Sequence, residues 1–186
     1  KGKPVFGMIH NVCDGEILWA FASGEKGMIK NGREEIFPNA GEKSSKLRVA
    51  VSRFHITEWE LRYVDYLKSL GHEVELVPLG ASSKHCMLAK GEVDICPKFG
   101  KCSEWDVAAG QVLVEAAGGH VVNAETGGEI RYNKENMISP PFVMFGKRVY
   151  DEIKEGNKTF LDFKAKSVVK NDYLGARRNE IKKQDI

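Results

Sequence analysis

The chain has 186 residues, 42% of them hydrophobic, and carries 28 basic against 26 acidic side chains for a net charge of +2. That is material for one medium domain or a large part of a two-domain protein, with an ordinary capacity to bury a core. The charge balance excludes a chain-wide basic surface of the nucleic-acid-binding kind, and no apolar stretch approaches the roughly 20 residues that span a bilayer.

The first residue is Lys1, followed at once by a strand-like segment with no secretory pattern, so the expectation is that an N-terminal part is missing or was cleaved. The runs PVFGMIHNV and GEILWAFASG are β-rich and separated by Asp14-Gly15, and GMIKNGREEIF holds a second turn dipeptide at Asn31-Gly32. The first forty residues therefore read as an antiparallel meander. LRVAVS then reads as a buried strand. TEWELRYVDYLKSLG carries the capping box Thr57-x-x-Glu60 with Gly71 at its end, and EVELVPL alternates as the next strand, which makes a β-α-β unit. A short helix around SSKHCMLAKG, a strand at VDICPKFG, a helix opened near Trp105, a strand at GHVVNAE and a last strand PFVMFG with a short helix behind it continue the alternation. The four cysteines, Cys13, Cys86, Cys96 and Cys102, form no C-x-x-C pair, and the reading is of a reduced, cytoplasmic protein. From Asn157 onward the chain is polar and locally basic, which reads as an exposed tail.

The stretch KCSEWDVAAGQVLVEAAGG, residues 101–119, carries the most chemistry. With Ser103 as N-cap, Asp106 falls at the third helical position, where its carboxylate faces the unpaired N–H groups and the positive end of the helix dipole. Capping alone explains such an aspartate. Gly110 is harder to explain, because a glycine inside a helix costs roughly 1 kcal/mol relative to alanine, and a close approach or tight packing is expected there. A cleared helix start beside a carboxylate also suits a phosphate bridged by a divalent cation.

The run Trp105-Asp106-Val107-Ala108-Ala109-Gly110, followed by Val112-Leu113-Val114 and closed by Gly118-Gly119, resembles the second signature of the inositol monophosphatase superfamily of metal-dependent, lithium-sensitive phosphatases. VSRFH at 51–55, GASSKHCMLAKGEVDICPKFG at 80–100 and GGEIRYN at 127–133 narrow the resemblance to its 3'(2'),5'-bisphosphate nucleotidase branch. The resemblance implies a mixed α/β, sugar-phosphatase-like fold. Residues 1–45 would end an N-terminal sheet domain of antiparallel hairpins, residues 46–156 would form the C-terminal, substrate-side α/β domain, and 157–186 would be a tail outside it. It implies Asp106 as a catalytic metal ligand and His55, Lys84 and Lys98 as nucleotide-binding residues. The family's serine aligns with Ala81, so that Ser82 or Ser83 would substitute, and Lys98 stands where arginine is usual, giving a point charge in place of a bidentate fork.

The resemblance further implies Mg²⁺-assisted hydrolysis of 3'-phosphoadenosine 5'-phosphate to AMP, with two or three Mg²⁺ ions in the complete enzyme. The expected partner is a small bisphosphorylated nucleotide, with no nucleic acid and no membrane. The family's D-P-x-D-G-T metal loop is absent from the sequence, and the expected companion is the missing N-terminal portion of the same enzyme. Two alternatives stay open, an inositol monophosphate phosphatase and a non-catalytic module that binds a nucleotide or a partner subunit.

Overall fold

A computed structural model of the chain describes residues 2–38, 44–80, 82–155 and 158. Four strands, β1 (Phe6–Asn11), β2 (Glu16–Phe21), β3 (Lys26–Lys30) and β4 (Arg33–Glu35), pair antiparallel in chain order. Asn31 and Gly32 both take positive φ, 51° and 75°, the combination a two-residue hairpin turn demands, so the β3–β4 turn falls where the dipeptide predicts.

The second sheet begins at β5 (Leu47–Ser52). Its apolar run continues through a crossover helix, α1 (Glu58–Ser69), into β6 (Val74–Leu79), which lies parallel to β5 in full register from Leu47↔Val74 to Ser52↔Leu79. From β6 the chain passes through α2 (Ser83–Lys90) to β7 (Ile95–Lys98), which lies parallel to β5 on its other side. After β8 (Cys102–Ser103) and α3 (Glu104–Ala116) come β9 (His120–Asn123), β10 (Ile138–Ser139) and β11 (Phe142–Phe145). The five-stranded order is β6-β5-β7-β11-β9, and residues 150–155 are helical after it.

One feature goes beyond the simple alternation the sequence predicts. The last strand, β11, inserts between β7 and β9 and runs antiparallel to both. β8 and β10 add a two-residue ladder of their own. The fold is the expected mixed α/β arrangement. Strand parity sorts the core into two faces. Leu47, Val49 and Val51 of β5 and Val143 and Phe145 of β11 pack with Leu61, Val64 and Leu67 of α1. Ala50, Phe142 and Met144 face the other way, toward α2, α3 and the inward residues Leu18, Ala20 and Met28 of the first sheet. The layers are thus α1, the five-stranded sheet, α2 with α3, and the four-stranded sheet.

α3 is the seam between the two sheets. A side chain on Gly7 of β1 would stand 2.4 Å from the carbonyl oxygen of Ala109, and one on Gly110 would stand 2.1 Å from Nδ1 of His85 on α2. Gly110 is therefore a packing glycine, as its helix-interior position predicts. The outer face of the first sheet carries Phe6, Met8 and Phe21, 45%, 55% and 45% exposed, with the Phe6 and Phe21 rings 4.8 Å apart. The tail predicted for 157–186 lies outside the described residues apart from Lys158. Among the described residues, no helix is long and apolar enough to cross a membrane.

Candidate functional site

The connection from β5 runs through α1 to β6 on one side of the sheet and the connection from β7 runs through α3 to β9 on the other, with the two helices on opposite faces, so the carboxyl ends of β5 and β7 flank a switch point of the kind where open α/β sheets bind ligands. The predicted residues all fall at this edge. His55 sits on the loop after β5, Ser82 and Lys84 at the start of α2, Lys98 at the end of β7 and Asp106 in the first turn of α3.

Asp106 occupies the third position of α3 behind Ser103, as the sequence predicts, and its Oδ2 accepts the Ser103 N–H at 3.1 Å. The Cys102 thiol donates to the same oxygen at 3.8 Å. Burial pushes the Cys102 thiol pKa up, and the adjacent Asp106 charge pushes it further, while Lys98 opposes them. Asp106 itself is exposed, and no bond among the described residues occupies its Oδ1.

Lys84 is only 8% exposed and Lys98 is half-buried. Both reach Cys96 electrostatically: burial drives that thiol up to about 11, while the Lys84 and Lys98 charges pull the other way. Lys98 folds back over the β7–β8 loop, with its Nζ 3.3 Å from the point where a Gly100 side chain would begin. Lys98 thus acts on both thiols, sharing Cys96 with Lys84 and Cys102 with Asp106. His55 is exposed, and its backbone N–H is tied to Ser52 Oγ at 3.1 Å. Ser82 begins α2, its carbonyl accepting the His85 N–H at 3.0 Å, without a side-chain cap bond. No described contact brings His55 or Ser82 onto the lysines. Ala81, the position of the family's serine, lies outside the described residues.

Three features of this edge escaped the sequence. Glu60, read there only as a helix cap, is 1% exposed, and its Oε1 accepts the N–H groups of Phe99 at 2.9 Å and Gly100 at 3.4 Å, fastening α1 to the loop that follows Lys98. No local pattern announces a bond across forty residues. The Cys102 contact with Asp106 was hidden similarly, although the i, i+4 spacing was visible. The third is a cleft of about 600 Å³ lined by Phe99, Gly100, Lys101, Asn123, Arg131 and Lys134 among others, which adjoins the loop but not the predicted residues themselves.

Among the described residues no three His, Cys, Asp or Glu side chains gather as a metal cage. A pair of catalytic ions about 4 Å apart requires several carboxylates. Asp106 has the exposure and a spare oxygen suited to one ligand role, but the described residues do not by themselves complete such a site.

The sequence matches the Inositol monophosphatase family over residues 1–155. The 3'(2'),5'-bisphosphate nucleotidase CysQ of Salmonella typhimurium is 33% identical over 144 residues, 76% of this chain and 55% of the relative. Its namesake from Escherichia coli is 32% identical over 143 residues, 76% of this chain and 54% of the relative. The crystal structure of CysQ from Bacteroides thetaiotaomicron, a bacterial member of the inositol monophosphatase family, superposes with a TM-score of 0.71 at 30% identity, covering 79% of this chain and 59% of that one. An IMPase from Thermotoga maritima, at a TM-score of 0.62 and 19% identity over 87% of this chain and 59% of that one, shares the fold. The chain spans about half the length of the curated relatives it matches.

Proposed function

The chain belongs to the inositol monophosphatase family, and from that premise we propose that it supplies the substrate side of a Mg²⁺-dependent phosphomonoester hydrolase that converts 3'-phosphoadenosine 5'-phosphate to AMP. The observation that carries the reading is the placement of two lysines and one exposed carboxylate along the carboxyl-end edge of the sheet: Lys84 at the start of α2 behind β6, Lys98 at the end of β7 and Asp106 in the first turn of α3. A bisphosphorylated nucleotide presents two separated anions, and cations set apart from the carboxylate answer the one that is not being hydrolysed. His55 and Ser82 border the same edge and complete the proposed binding set, and the names of the CysQ relatives support this substrate class.

In the reaction, water adds to phosphorus as the bond to O3' breaks, and O3' leaves with a proton. Divalent ions in such enzymes supply an activated water and neutralise the phosphoryl charge. This chain's contribution is to hold the nucleotide and to offer one ligand, Asp106. The remaining ligands would come from a segment bearing the family's D-P-x-D-G-T loop, with the β1–β4 sheet of residues 1–45 adjoining it and residues 46–156 forming the substrate-side domain.

The test is phosphate release by this chain mixed with the N-terminal segment of a CysQ relative that carries that loop, on 3'-phosphoadenosine 5'-phosphate and on inositol 1-phosphate across a Mg²⁺ titration. Lys84→Met should reduce kcat/KM on the bisphosphate by about tenfold or more, the scale of one charge-assisted hydrogen bond, and spare the monophosphate. Equal penalties on both substrates would remove the preference for a nucleotide over an inositol phosphate.

A further inference from the structure

The loop between β5 and α1 is held at both ends and yet presents its one phenyl ring to solvent. Arg53 N–H donates to the carbonyl of Leu79, the last residue of β6, at 3.1 Å, and His55 N–H donates to Ser52 Oγ at 3.1 Å. Ile56 is 3% exposed and pins the loop to the core, whereas Phe54, between these anchors, is 70% exposed. A single exposed phenylalanine on a surface needs no explanation. This one differs in its place. It lies at the carboxyl end of β5, next to His55, at the switch point, on a loop laced to the strand that leads into Ser82 and Lys84. An apolar ring at an edge otherwise furnished with cations is suited to a ligand that joins anionic groups to a flat, uncharged ring.

We infer that Phe54 is the base-stacking platform of this site and sets its preference for nucleotides over phosphorylated polyols. The inference rests on the nucleotide reading proposed above and adds to it the residue that recognises the base. Lys84, Lys98 and His55 hold phosphate groups, which a nucleotide and an inositol phosphate share. A saturated polyol ring has no π face to lay against a phenyl ring, and a purine does. The backbone that carries the ring is already tied down at Arg53, His55 and Ile56, so little loop ordering accompanies binding. Stacking of this kind tolerates different bases, and the expected specificity is for a nucleobase as such.

Calorimetric titration of the 186-residue chain with adenosine 3',5'-bisphosphate and, as a base-free control, ribose 5-phosphate, both in Mg²⁺, tests this. Phe54→Ala should weaken the nucleotide by about five- to hundredfold and leave ribose 5-phosphate unchanged, while Phe54→Trp should keep or improve nucleotide affinity. Because the side chain is exposed, the variants should fold as the parent does, which circular dichroism checks. A wild-type chain that prefers the nucleotide and a Phe54→Ala variant that matches it would overturn the stacking role alone. Equal losses on both ligands would overturn it too, by showing that Phe54 only shapes the loop. A wild-type chain that binds the nucleotide no better than ribose 5-phosphate would overturn the nucleotide reading and this inference together.

Discussion

α1 and α3 open with the same device at the same edge of the sheet, a hydroxyl residue followed three positions later by a carboxylate, and the two carboxylates end in opposite circumstances. Glu60 is 1% exposed and surrounded by backbone donors: it accepts the N–H of Thr57, of Phe99 and of Gly100. Asp106 accepts the Ser103 N–H and the Cys102 thiol on one oxygen and keeps the other toward solvent. In both boxes the carboxylate accepts the backbone N–H of its N-cap residue, Thr57 or Ser103. The sequence motif is therefore neutral as to role. What separates a structural carboxylate from one free to meet a ligand is whether the fold supplies enough donors to use up both oxygens.

Truncating the enclosed carboxylate gives the largest effect this comparison predicts. Glu60→Ala strands three backbone N–H groups at a buried edge, at about 1–3 kcal/mol for each unsatisfied group that water cannot reach. A loss of about 3 kcal/mol or more is expected, read as a fall in the urea midpoint, together with faster amide exchange at Phe99 and Gly100. An unchanged midpoint would mean that the loop does not depend on α1.

Next in size is the interior of α3. Gly110→Ala places a methyl group where His85 already stands, 2.1 Å from Nδ1 and 2.7 Å from Cβ of that residue, and the ring has no free end to swing aside. Overpacking of this kind costs about 1–3 kcal/mol. Combining it with His85→Ala should return part of the loss, and that non-additivity in a double-mutant cycle is the signature of direct contact.

These two residues also mark the limit of what the sequence made legible. The caps, the hairpin turn at Asn31-Gly32 and the β-α-β unit are local, and each was readable because a few neighbouring residues decide it; a glycine inside a helix announced close packing at Gly110, but not that His85 of α2 would be its neighbour. The placement of β11 was not, because PFVMFG is an apolar run that would suit either orientation between several neighbours, and only pairing with both Ile95–Lys98 and His120–Asn123 selects one. At the candidate site the stations were legible: His55, Ser82, Lys84, Lys98 and Asp106 all lie at one edge. Their mutual contacts were not, nor was the exposure of Phe54, since both depend on how far loops from different strands lean over that edge.

His85, on α2 against the interior of α3, gives a smaller, pH-dependent effect. Burial, with the neighbouring Lys84 charge added, lowers its pKa from 6.5 to about 3. Between those values the unfolded chain takes up a proton that the folded chain refuses, so stability falls as the pH drops from about 6.5 and the effect levels off below about 3. From pH 7 to pH 5 this amounts to about 1–2 kcal/mol, most visible as a declining melting temperature. His85→Gln should flatten that slope.

The smallest stability change falls on the carboxylate with the largest proposed role. Asp106→Asn keeps a side-chain oxygen that can accept the Ser103 N–H and removes only the charge, whose attraction to the helix dipole in the first turn is worth about 0.3–1 kcal/mol, so the melting temperature should fall by no more than that would produce. If Asp106 is a metal ligand, the same substitution should weaken Mg²⁺ binding and raise the Mg²⁺ needed for turnover, because a hard cation takes charged carboxylate oxygen in preference to a neutral amide. The separation of the two readouts is what distinguishes the α3 box from the α1 box, where the side chain's bonds are all internal and stability and function should fall together. A Mg²⁺ dependence that Asp106→Asn leaves in place would make the second box a cap like the first. The spare oxygen on Asp106 would then be ordinary solvent exposure at a helix start, and the cations at Lys84 and Lys98 would have to be explained without it.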